Sequence, residues 1–264
     1  PEWIPIGTLA AASVASILTA AVMMIRATAR LDEALVAVAA QVRAQLRYRT
    51  LAVSGRWLLG SGGLSTANNF LVEGAIVFVV GSPALALAGS AKTVAQPILV
   101  LANGLRSILG PRVMDAAKTN DRQAARAALR LFWLLTFAAV LGYGAIVGFD
   151  WAGNPLARLV ENAYTVEFLV ILTIAAHGLI AAAIPGRLGL VGAAREKQLL
   201  GVEAKANAGQ LVAGVIVAVA AGGSAAAGSF AYPVSLAVLG VARMAGYERV
   251  LDDHFADADR AAAT

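Results

Sequence analysis

Apolar residues in this chain come in blocks of about 20, the length at which a helix rising about 1.5 Å per residue crosses the hydrocarbon core of a bilayer. Seven such blocks stand out, at 3–25, 57–80, 84–109, 131–149, 168–191, 207–222 and 228–246. The sixth is short and flanked by glycine, so its ends are the least defined. A backbone in lipid must satisfy its own hydrogen bonds, and blocks of this length do so as helices. The expected fold is therefore an all-α integral membrane protein of about seven transmembrane helices. Composition agrees: 59% of residues are hydrophobic and only 14% are charged, too few to cover a soluble domain of this size.

The lysines and arginines orient the helices. Arg26, Arg30, Arg43, Arg47, Arg49 and Arg56 precede the second block. Arg112, Lys118, Arg122, Arg126 and Arg130 follow the third; Arg195, Lys197 and Lys205 follow the fifth; Arg243, Arg249 and Arg260 close the chain. With seven alternating spans all seventeen fall on one side, and Arg158 stands alone on the other. The positive-inside rule makes the basic side cytoplasmic and places the C-terminus there. A net charge of +5 built this way reports topology, and we expect no nucleic-acid partner.

Between the first two blocks, Leu31, Leu35, Val38, Val42 and Leu46 share one helical face, with Arg30, Glu33, Arg43 and Arg47 opposite. Residues 30–47 thus read as an amphipathic helix along the inner membrane surface, joining two bundles. The tail from 247 carries Asp252, Asp253, Asp257 and Asp259 and reads as a solvated, partly disordered end.

Polar groups inside a span cost several kcal/mol unless paired or hydrated, so they mark helix contacts or cavities. In the third block Lys92, Gln96, Asn103 and Arg106 recur at steps of four, seven and three, within an arc of roughly 80° on a helix. Lys92 lies near mid-bilayer and needs water, a carboxylate or an anion. Arg106 is close enough to the inner interface to snorkel. Pro97 removes a backbone hydrogen bond and marks a bend or hinge. The second block carries Asn68, Asn69 and Glu73; the asparagines suit helix joining or cavity lining. Glu73 suits a proton or cation site, or a partner for Lys92 on the neighbouring antiparallel helix. The fifth block carries His177, a structural hydrogen-bond donor or a proton relay, with Pro185 and Arg187 beyond it. Gly142, Gly144, Gly148, Gly186, Gly189 and Gly192 suit close helix packing or hinges.

Several chemistries are not expected. There is no cysteine, so no disulfide, thiolate nucleophile or Cys-based metal site. The two histidines are far apart, and no metal spacing, catalytic constellation or phosphate-cradling loop appears. We expect neither an enzyme nor a cofactor. Any energy for transport would come from ions or from a substrate gradient.

Local strings then point to a family. VGSPALALAGSAKTVAQPILVLANGLRSILGPRVMDAAKTND, from Val80, resembles the region after the first span of the C-terminal lobe in Wzx-type polysaccharide flippases. There a short polar turn leads into a helix that ends in a Pro-containing step and a basic loop. Gly89, Pro97, Pro111 and Arg112 stand in those places. IPGRLGLVGAAREKQLLGVEAKANAGQLV, residues 184–212, is similar to the family's inward helix, basic turn and following helix, and AGGSAAAGSF precedes the last span. The resemblance covers about 50–246. It implies a MATE-like lobe: 1–25 as the last helix of a truncated N-terminal lobe, 26–56 as the basic linker, 57–246 as the six-helix C-terminal lobe, and 247–264 as a cytoplasmic tail.

The resemblance further implies alternating access in the bacterial cytoplasmic membrane, with lobes rocking around a cavity. The substrate would be a polyprenyl-diphosphate-linked oligosaccharide, such as an O-antigen unit, and the polysaccharide polymerase machinery would be a partner. Lys92 and Arg106 would hold the diphosphate, and Gln96, Asn103, Asn68 and Asn69 the sugar. Glu73 and His177 would be candidates for proton or sodium coupling. Two alternatives stay open. A MATE-type drug or organic-cation antiporter would use Glu73. A non-transporting scaffold of envelope assembly would keep Lys92 dry and paired with Glu73.

Overall fold

The computed structural model describes residues 48–262, with side chains from 55 to 261. The first expected span, 3–25, and the amphipathic helix, 30–47, lie outside them. Residues from Ser54 onward form one compact unit. The described elements are α1 (Tyr48–Val79), α2 (Ser82–Lys118), α3 (Arg122–Val147), the single turn α4 (Glu161–Tyr164), α5 (Leu169–Gly192), α6 (Glu196–Ala220), the short α7 (Ala225–Ser229) and α8 (Ala231–Ala262). There is no strand among the described residues. The protein is an all-helical, multi-pass membrane protein. Among the described residues five stretches are long and apolar enough to cross a bilayer: α2, α3, α5, α6 and the α7–α8 run. α1, expected to span at 57–80, is 32 residues long but is not one of the five; Gly, Ser, Thr and Asn dilute its apolar residues.

α5 is the central helix and packs against α2, α3 and α8. Its most apolar stretch is 67% buried, against 22% for the peripheral α3. Small residues allow this close approach. A Cβ on Gly186 would stand 2.9 Å from Tyr247, one on Gly144 2.9 Å from Ile171, and Gly148, Gly189 and Gly192 are similarly crowded. Gly142 differs from that expectation, because nothing lies within 4 Å of its Cβ position.

Both proline-containing inner helices run on through their prolines, α2 through Pro97 and Pro111 and α5 through Pro185. A proline leaves the turn before it short of a backbone bond. At Pro97 and Pro185 an aromatic donor from α3 reaches the carbonyl three residues earlier, next to the one the proline leaves without its N–H. Tyr143 Oη donates to Val94 O at 2.7 Å, and Trp133 Nε1 to Ala182 O at 2.8 Å.

Three segments differ from the sequence expectation. The basic stretch 111–130 is mostly helix, because α2 continues to Lys118 and a tight turn with Asn120 at φ 59° leads into α3, capped by Asp121. α6 begins at Glu196, well before 207, because its polar side chains find partners in neighbouring helices. The segment expected as a disordered tail is the continuation of α8. Tyr247, Leu251 and Phe255 recur every four residues and are buried against the other helices. Outside them Asp252 pairs with Arg126 at 2.9 Å, and Asp257 with Arg195 at 3.2 Å.

Candidate functional site

Lys92, nine residues into the apolar block of α2, is the anchor of the site. Its Nζ lies 3.4 Å from Glu73 Oε1 on α1, the pairing that antiparallel neighbours at this depth suggest. It also stands 5.2 Å above the ring of Tyr232, near the start of α8, in cation–π range. The three side chains line a recess of about 220 Å³ whose remaining walls are Leu85, Ala88 and Gly89. The small residues at 88 and 89 leave this space beside the ammonium. The pair is not sealed: the Lys92 side chain is 39% exposed and that of Glu73 31%.

The rest of the α2 stripe faces away from the bundle. Gln96, Asn103 and Arg106 are exposed, and their side chains have no hydrogen bond or ion pair among the described residues. Pro97 lies beside them on the same exposed surface. The helix therefore presents a cationic corner at Lys92 and a run of open polar groups along one outer face.

The asparagines serve another purpose. Asn68 is buried and donates from Nδ2 to Gln210 Oε1 on α6 at 2.7 Å. Gln210 Nε2 in turn reaches Asn69 Oδ1 at 3.5 Å. These amides join α1 to α6 and are not part of the Lys92 recess. Asn68→Leu is expected to cost about 1 kcal/mol, the usual worth of a polar contact between membrane helices, measured as a lowered midpoint of thermal unfolding in detergent. An unchanged midpoint would mean that the amide pair holds nothing. His177 is buried in α5, and its Nδ1 donates to Thr173 O at 2.8 Å, a bond within its own helix. Arg187 donates to Ser61 Oγ on α1 at 3.1 Å.

The most connected polar cluster is one that sequence reasoning missed. Glu203 on α6 is 1% exposed. Its Oε2 accepts from Arg243 Nε at 2.9 Å and Nη2 at 2.6 Å, and its Oε1 accepts from Tyr247 Oη at 2.5 Å. Arg243 also donates to Ser65 Oγ at 2.8 Å, and Ser65 sits 3.4 Å from the same carboxylate. Asn207 Nδ2 bonds Glu203 O at 2.7 Å, while its Oδ1 is buried without a partner among the described residues. One carboxylate thus ties α1, α6 and α8 together. The signal in the sequence is the spacing of Glu203, Asn207 and Gln210, four and then three residues apart on one helical face.

Among the described residues no three His, Cys, Asp or Glu side chains converge as a metal site would require. Comparison of the chain with known protein families, with curated proteins and with solved structures gives no match.

Proposed function

We propose that this protein moves a lipid-linked oligosaccharide across the bacterial cytoplasmic membrane as part of a Wzx-type flippase working by alternating access. The observation that carries the reading is Lys92, an ammonium on an apolar helix that lines a recess between α1, α2 and α8. A cation at that depth is retained where water or an anion meets it. The diphosphate of a polyprenyl sugar is such an anion. Gln96, Asn103 and Arg106, open on the same helix, supply amide groups for sugar hydroxyls and a second guanidinium for phosphate. Glu73 holds the ammonium when no substrate is present.

A second reading is favoured by that same ion pair. If Lys92 and Glu73 only join α1 to α2, the protein is a scaffold of envelope assembly. Native mass spectrometry of gently extracted protein separates the two. The transport reading expects a bound polyprenyl-diphosphate sugar, and about a tenfold loss of it in Lys92→Ala, the worth of one charge-assisted hydrogen bond. The scaffold reading expects no such lipid even when it is added back, and a Lys92→Ala variant that is less stable than the parent.

A further inference from the structure

A second recess of about 220 Å³ opens between α3 and α8, at the end of the bundle that carries most of the basic residues. α3 contributes Arg126 and Arg130, one turn apart, and α8 contributes Glu248 and Asp252, also one turn apart. The two helices run antiparallel, so Arg126 meets Asp252 and Arg130 stands across from Glu248. The first couple is closed: Asp252 accepts from Arg126 at 2.9 Å and has Arg122 at 3.6 Å. The second is not. Neither Arg130 nor Glu248 makes an ion pair among the described residues, although both are exposed and line the same cavity. One recess therefore holds one unspent cation and one unspent anion.

Its floor is apolar, made by Leu129, Leu251 and Phe255. Trp133 closes one side, and its indole N–H is already committed to Ala182 O. The apolar surface continues away from the charges. Leu134 and Leu141, four and eleven residues beyond Arg130 on α3, are exposed, as is Val241, seven residues before Glu248 on α8. On a helix these spacings keep to one face. A charged recess at a helix end, with an uncovered apolar track running from it along membrane helices, matches a molecule with a charged head and a chain. An aromatic residue beside it is the usual marker of the interface depth.

We infer that this recess binds a zwitterionic phospholipid headgroup of the ethanolamine class, its phosphate on Arg130 and its ammonium on Glu248. Arg130 offers a planar set of N–H donors to phosphate oxygens. The primary ammonium offers N–H donors to the Glu248 carboxylate, which a trimethylammonium lacks. A purely anionic headgroup would leave Glu248 facing a like charge, which is the argument against it. The inference rests on the membrane-spanning helices alone and not on the transport reading.

The test is native mass spectrometry of the full chain in detergent, titrated with phosphatidylethanolamine, phosphatidylcholine and phosphatidylglycerol of identical acyl chains. The ethanolamine lipid is expected to bind about tenfold tighter than either other, one charge-assisted hydrogen bond's worth of discrimination. Arg130→Ala should lose about tenfold in its affinity and Arg130→Lys much less, while Glu248→Gln should erase the preference over the glycerol lipid. Both side chains are exposed, so thermal unfolding of the variants is expected to match the parent and serves as the folding control. Equal binding of the three lipids, a preference for phosphatidylglycerol, or an ethanolamine preference that survives both Arg130→Ala and Glu248→Gln would each overturn the assignment.

Discussion

Glu203→Ala is expected to destabilise the bundle by about 3–5 kcal/mol, the cost of removing one partner from a buried ion pair. Arg243 would keep its charge with only Ser65 as a hydrogen-bond partner, and the Tyr247 hydroxyl would lose its acceptor. Whole domains are stable by only about 5–15 kcal/mol, so a loss of this size removes a large share of the margin. The measurement is unfolding in detergent, read by helical circular dichroism and by the monodisperse fraction on gel filtration. Charge loss and packing loss are separable. Glu203→Met/Arg243→Met removes both charges and keeps much of the volume, so it should recover part of what either single change loses. Single and double variants of equal instability would mean that the cluster acts through shape, and a Glu203→Ala protein as stable as the parent would refute the account altogether.

The cluster also shows where sequence reasoning stops. α5 was legible almost to the residue, 168–191 expected against Leu169–Gly192 observed, because His177 and Arg187 are the only strongly polar side chains between its ends. The Glu73–Lys92 pair was legible because Glu73 is the one charge in its apolar block and Lys92 the one charge in the interior of the next, on adjacent antiparallel helices. Glu203 was hidden by its neighbours. Lys197 and Lys205 mark its surroundings as a basic connection, so the sequence places the start of the helix after it. Arg243, its partner, reads in the sequence as a topology charge for the same reason. The α8 extension was hidden in the opposite way, since four aspartates outweigh the regular spacing of Tyr247, Leu251 and Phe255. In both places local charge is a property of composition, whereas the partner that neutralises it belongs to another helix. Periodicity carries the information that composition conceals, but only once the helix is extended far enough for the period to show.

Gly240→Val is expected to destabilise by about 3 kcal/mol, the upper part of the range for overpacking a close-packed interior. A Cβ at Gly240 would stand 2.8 Å from the backbone carbon of Leu179 and 3.0 Å from the Ile180 nitrogen. Those atoms are main chain, so no rotamer change relieves the contact, and α8 must move away from α5. These two helices form one of the largest packing surfaces in the bundle, and the shift would loosen side chains along its length. Gly142→Ala is the matched control. It lies on α3 with nothing within 4 Å of the new methyl, so it should leave stability unchanged or raise it through helix propensity. Both can be read from the same unfolding curves, as a change in midpoint. Equal loss in the two variants would mean that glycine matters here for backbone freedom throughout. Loss at 240 alone would mean that it matters where two helices touch, and that α5 is central because small residues let its neighbours reach its backbone.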